Sequence, residues 1–301
     1  MSQYFPHTEP PANRYALPAI FVLVVALTGS RAGWNLPYTR PAAYDYSTYY
    51  SRSVNEYLDI VPDLFERELA KGWAYYKSNF ILSNGLVNHR RLGSGGQVIG
   101  DNEAVSEGQG YGMLLALLNN DQSTFNRIFE AANSFMWDTG RKSYFVWRWP
   151  AGSRGAATDA DLDIGLALVF ADKLQENDLW QPYTNNGITY RSRALEIIHG
   201  IRTNMTQNDY LLPGDNWGGD GINNLNPSYF ATAWLKVFNA YQDTDDFTPV
   251  IDKCYNVLER MPRYGKGQAV DWCTTSGNRA GGKPYGMGSD AIRVPWRIAM
   301  D

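Results

Sequence analysis

Side chains that hold metals are scarce in this chain. Its 301 residues include 2 cysteines and 3 histidines. His7, His89 and His199 are scattered, and no Cys/His spacing matches a zinc site, so neither metal nor cofactor is expected. Basic charge is not in surplus. The 27 Lys and Arg against 31 Asp and Glu leave a formal net charge of -4, which argues against a nucleic-acid partner and its basic patch or stripe. Ala16 to Leu27 is almost wholly apolar, but a comfortable membrane span needs ~20 residues. No sustained βαβ alternation is present, which argues against a parallel-sheet enzyme. Gly93-Ser94-Gly95-Gly96 lacks the preceding strand and the third glycine of a nucleotide loop. Ser106, beside Gly108-Gln109-Gly110, has no His partner that would make it a nucleophile.

What is present is core material and aromatic surface. A hydrophobic share of 44% is ample for a packed interior. Many of the 10 Trp and 20 Tyr fall in loops, where aromatic faces suit the flat faces of sugar rings. The apolar stretch from Ala16 has the length of a signal-peptide core, flanked by Arg14, and Ser30-Arg31-Ala32 offers small residues at the cleavage positions. The expectation is therefore a signal peptide over 1–32, an extended Pro-, Tyr- and Ser-containing lead-in over 33–53, and a domain over 54–301. A secreted protein with no membrane association after cleavage follows. Cys254 and Cys273 are free to pair after export or to stay as two buried thiols.

The domain reads as helical. Phe65, Leu69, Trp73, Tyr76 and Phe80 form one apolar stripe, and Phe125, Ile128, Phe129, Ala132, Phe135 and Met136 form a second. Residues near Ala194 to Ile201 and Val250 to Leu258 give two more. Between these lie helices recognisable by how they start. Ser106 with Gln109 reads as a capping box, and Thr158 with Asp161 has the same grammar. Asn226-Pro227 sets a cap residue before a proline, and Ser289-Asp290 opens a fourth helix that Pro295 shifts or kinks. The pattern is one of helical hairpins at an uneven period.

Three of these starts carry an acid at once: Glu107, Asp159 and Asp290. The partial positive charge of a first helical turn favours an acid there for purely structural reasons. Three in one set, on helices that start in the same direction, would instead ring one opening with carboxylates.

Ala104-Val105-Ser106-Glu107-Gly108-Gln109-Gly110-Tyr111-Gly112-Met113 resembles the catalytic-acid motif of glycoside hydrolase family 8. Ala157 to Ile164, Asn226 to Phe230, Val270 to Cys273 and Asp290 to Arg297 are similar to four further blocks of that family, in order along the chain. The resemblance implies an all-α fold, the (α/α)6 toroid of six helical hairpins. About eight of its twelve helices can be counted in the chain, so an incomplete C-terminal end is expected. Gly165 and Gln175 depart from the family's second signature, and Ser289 stands where many members have Tyr.

The activity implied is inverting hydrolysis of β-1,4-linked glycans by a monomeric enzyme, an endoglucanase acting on β-glucan. Cleaving a glycosidic bond takes a proton on the leaving oxygen and a nucleophile on the opposite ring face, which two carboxyl groups supply. By resemblance Glu107 is the general acid and Asp290 the general base, while Asp159 grips the central sugar. Tyr229 would help hold the water, and Arg293 would keep the base ionised. Trp147 and Trp217 are the candidate sugar platforms, with Tyr111 helping to bury the acid. Trp73 and Trp234 lie on helical stripes and read as core. Chitosan, mixed-linkage β-glucan and xylan stay open as substrates, and so does a non-catalytic carbohydrate-binding toroid.

Overall fold

The computed structural model describes residues 62–92, 97–138, 140, 143–150, 155–215, 221–261 and 268–301, with backbone alone for 62–68, 91 and 92. The expected signal peptide and lead-in, and Trp217, lie outside the described residues. Eight α-helices dominate what is described. They are α1 (Pro62–Phe80), α2 (Ser106–Leu118), α3 (Gln122–Phe135), α4 (Thr158–Glu176), α5 (Tyr190–Asn204), α6 (Thr232–Tyr241), α7 (Thr248–Arg260) and α8 (Val294–Ala299). Six strands of two residues pair as three antiparallel ribbons and build no layer.

Helices α3, α5 and α7 are amphipathic. Each turns one stripe inward, such as Phe125, Ile128 and Phe129 on α3 or Val250, Ile251, Cys254 and Val257 on α7. Helix α4 is different: 16 of its 19 residues are buried, so it has no solvent face. It packs chiefly against α2 and α5 and also meets α6. The stripe on α1 is less enclosed than its spacing suggests. Leu69 is exposed, and Trp73, Tyr76 and Phe80 are half-buried in a stack with centroid spacings of 5.6 and 5.5 Å.

A helix without a solvent face needs partners inside the protein for the carboxylates it carries. The buried aspartates of α4 each find partners. Asp163 takes a bidentate pair from Arg297 at 2.7 and 2.8 Å and the indole N–H of Trp234 at 2.8 Å. Asp172 accepts the Tyr241 hydroxyl at 2.7 Å. Asp161 accepts the Phe145 N–H at 2.9 Å through one oxygen. Arg297 and Asp163 are almost wholly buried, so the charge pair links α8 to α4 through the interior.

Two expected caps are not formed. Ser106 and Thr158 are the first helical residues, after Val105 and Ala157, and neither hydroxyl makes a cap hydrogen bond. Their backbone N–H groups donate instead to the carbonyls of Trp147 at 3.0 Å and Pro213 at 3.1 Å. The Gln109 carboxamide is taken up by Val87, accepting its N–H at 2.8 Å and donating to its carbonyl at 3.1 Å. Asn226 does cap, but only the single 3-10 turn Pro227–Tyr229 ahead of α6. Asp290 likewise precedes a 3-10 turn, Ala291–Arg293, and Pro295 sits in the first turn of α8. Cys254 and Cys273 are buried free thiols, and burial pushes both up, Cys273 to about 12.

Candidate active site

The expected site residues lie at equivalent places on alternate helices. Glu107 and Asp159 are the second residues of α2 and α4. Tyr229 closes the 3-10 turn before α6, and Asp290 and Arg293 bracket the one before α8. Helix starts that point the same way bring these side chains together.

Arg293 is the hub. Its Nη1 donates to Asp159 Oδ2 at 2.5 Å and its Nη2 to Asp290 Oδ1 at 2.8 Å. Its guanidinium lies over the Tyr229 ring at 5.3 Å, and its charge also acts on the Tyr111 hydroxyl. Asp159 is 1% exposed at its side chain, whereas Asp290 keeps 30%. One carboxylate is therefore sealed and the other faces solvent.

Glu107 has an Oε2 that is buried and makes no hydrogen bond among the described residues. Its carboxyl is pushed up to about 8. Burial is the main cause, and the negative charge of Asp159 adds to it. Its own backbone N–H and Arg293 pull the other way. The helix start alone would favour an ionised acid, and burial overrides it here. Burial also pushes Asp159 up, opposed by Arg293 and Arg297. Burial works against the charge of Arg293, but Asp159 outweighs it and holds the guanidinium charged. Tyr229 is held neutral by burial and by the surrounding carboxylates.

Trp147 sits beside the start of α2, where its carbonyl accepts the Ser106 N–H, and its ring is half-buried with Arg148 over it at 5.9 Å. The neighbouring ribbon of Ala104–Val105 and Arg148–Trp149 ties that loop to the helix. Trp149 packs on Phe135 at 5.4 Å, and Trp272 is buried with Lys283 above it at 4.6 Å. Trp234 is core, as its stripe suggests. Among the described residues no group of three His, Cys, Asp or Glu is arranged to hold a metal ion. The Asp163–Arg297 pair was not singled out in the sequence. Its signal was available: Asp159 and Asp163 share one helical spacing, and Arg293 and Arg297 share the same one.

Fold and site together define a protein built of helical hairpins with a carboxylate–guanidinium centre at the starts of its alternate helices. The chain belongs to the glycosyl hydrolases family 8, whose pattern matches residues 65–301. It is 38% identical over 241 residues to endoglucanase A of Acetivibrio thermocellus, covering 76% of this chain and 48% of that protein. It is 33% identical over 295 residues to endoglucanase 2 of Ruminiclostridium josui, covering 95% of this chain and 60% of that one. The chain thus spans about half to three-fifths of these relatives' length. Among solved structures it resembles the endo-beta-1,4-glucanase CMCax of Acetobacter xylinum. The TM-score is 0.60 at 27% identity, over 76% of this chain and 71% of that one. The fold is that of the (α/α)6 toroid.

Proposed function

We propose that this chain carries the catalytic centre of an inverting endo-β-1,4-glucanase, with Glu107 as general acid and Asp290 as general base. The reading rests above all on Glu107. A carboxyl pushed up to about 8 still holds its proton at neutral pH, as a general acid must before it acts. Its Oε2 is buried and makes no hydrogen bond among the described residues, so no protein acceptor competes there for the proton. Asp290, paired with Arg293 and partly open to solvent, suits the activation of a water on the opposite ring face. Asp159, enclosed and paired with Arg293, would hold that guanidinium against the central sugar rather than grip the ring itself, and Tyr229 helps to hold the water. Trp147 and Trp217 stack on sugar rings, and Tyr111 helps to enclose the acid.

β-1,4-Glucan is the preferred substrate, because relatives at 33–38% identity carry endoglucanase names. Action outside the cell, after removal of residues 1–32, fits a polymeric substrate. No described helix is long and apolar enough to cross a membrane. The test is reducing-sugar release from carboxymethylcellulose, lichenan, xylan and chitosan by the full chain and by Glu107→Gln. Release from carboxymethylcellulose that disappears in the variant supports the reading. A variant that keeps its turnover refutes the assignment of the acid.

A further inference from the structure

Asp271 belongs to none of the roles above, yet it is tied to the backbone on both sides of Asp290. It is 8% exposed. Its Oδ1 accepts two N–H groups, from Gly288 at 3.1 Å and from Ala291 at 2.7 Å. These residues flank Asp290 in the chain. The main chain of Asp271 is held as well, its N–H donating to the Gly286 carbonyl at 2.9 Å. Two residues on, Cys273 exchanges backbone hydrogen bonds with Leu225 at 2.8 and 2.9 Å. Leu225 directly precedes the Asn226–Tyr229 turn. The stretch carrying Asp271 is therefore anchored to the segment that presents Tyr229 and clasps the one that presents Asp290 and Arg293.

Gly288 allows this closeness. A Cβ on it would lie 2.1 Å from Asp271 Oδ2, well inside contact distance. The 3-10 turn after Asp290 is only three residues long and has no side-chain cap of its own. Three residues make too few internal hydrogen bonds to fix their own entry direction. The acceptor on Asp271 supplies what the turn lacks.

We propose that Asp271 is a positioning residue for the general base. It fixes the backbone around Asp290, so that the Asp290 carboxylate and the Arg293 fork keep their register against Asp159. This inference rests on the role proposed for Asp290. Two N–H groups on one oxygen require an acceptor at Oδ1 and no charge, so an amide should serve in its place.

The experiment compares Asp271→Ala, Asp271→Asn, Gly288→Ala and Asp290→Asn in the full chain, with soluble β-1,4-gluco-oligosaccharides as substrate. Near-UV circular dichroism checks the fold of each. Asp271→Ala should lower kcat on the order of 100-fold, the size of loss that small misplacements of reacting groups produce. KM should change by no more than about threefold, because the ground-state sugar contacts are untouched. Asp271→Asn should recover most of that kcat, and Gly288→Ala should reproduce the alanine defect by displacing the carboxylate. A folded Asp271→Ala enzyme with undiminished kcat overturns the proposal. So does a folded Asp271→Asn enzyme as slow as the alanine variant. An active Asp290→Asn enzyme would instead remove the reading of Asp290 beneath it, which separates the two failures.

Discussion

Asp159 and Arg293 are 134 positions apart in the chain and meet in an N–H···O contact of 2.5 Å. One helical turn further on, Asp163 and Arg297 repeat the pairing at the same separation of 134, with contacts of 2.7 and 2.8 Å. The two rungs differ in environment. Asp290 shares Arg293 and keeps that rung partly open, whereas the Asp163–Arg297 rung is closed. The outer rung thus carries the proposed chemistry, and the inner one sets the docking of α8 on α4.

Removing one partner of the inner rung should be costly. Arg297→Met leaves the buried Asp163 without its ion-pair partner, with only the Trp234 N–H for company among the described residues. Breaking a buried pair this way costs about 3–5 kcal/mol. Urea unfolding should show a lower midpoint for Arg297→Met, with part of the loss recovered in the Asp163→Asn, Arg297→Met double variant. A single variant as stable as the parent would mean that the pair contributes nothing.

Arg293→Lys keeps the charge but removes the fork that spans two carboxylates. A lysine ammonium is a point charge and cannot make both contacts in the same geometry. Under the proposed roles, kcat should fall on the order of 100-fold on β-1,4-gluco-oligosaccharides while the fold survives. Near-parental turnover in Arg293→Lys would show that bidentate bridging is dispensable.

The pH dependence of kcat/KM reports the proton held by the proposed acid. With Glu107 pushed up to about 8, the alkaline limb should fall near that value. Asp159→Asn removes the neighbouring charge that helps to raise Glu107, so its alkaline limb should move to lower pH. An unmoved limb would detach the profile from this pair.

Stability should follow the same group with a definite sign. Folding raises the Glu107 carboxyl from 4.5 to about 8, so between those values the folded chain holds a proton that the unfolded chain has released. The contribution is complete below the lower value and is lost as pH rises through the upper one. Glu107→Gln cannot ionise there. Measured at about pH 6 and about pH 9, the parent should lose more thermal stability over the interval than the variant does. Equal losses would mean that Glu107 ionises without a burial penalty.

Gly110 marks where α2 meets α4, since a Cβ there would stand 2.9 Å from Asp163 Cβ. Gly110→Ala must push the two helices apart against a packed core, at a cost of about 1–3 kcal/mol. Thermal unfolding checks it. A gain in stability, as helix propensity alone would give, would show that the contact relaxes freely.

The stripes on α3, α5 and α7, the acids at the helix starts and the family blocks were all legible in the sequence, because helical period and local motif are properties of neighbouring residues. The caps were legible only as residue types. Ser106 and Thr158 lost their capping roles to backbone contacts with Trp147 and Pro213, which lie far along the chain. Helix α4 was read as a start motif with an acid, and nothing in a run containing four aspartates announces a helix buried on every side. Each of those aspartates is tolerable only because a partner arrives from elsewhere, from the Phe145 loop, from Tyr241, or from the segment that holds Arg293 and Arg297.

The sequence by itself determined which segments are helical, which acids head them and which family the chain resembles. Tertiary structure alone decided which of those acids is kept protonated, which is paired and which is open to water. Both protonation and pairing depend on distance and on exclusion of solvent, and for residues more than a hundred positions apart those are set only when the helices pack.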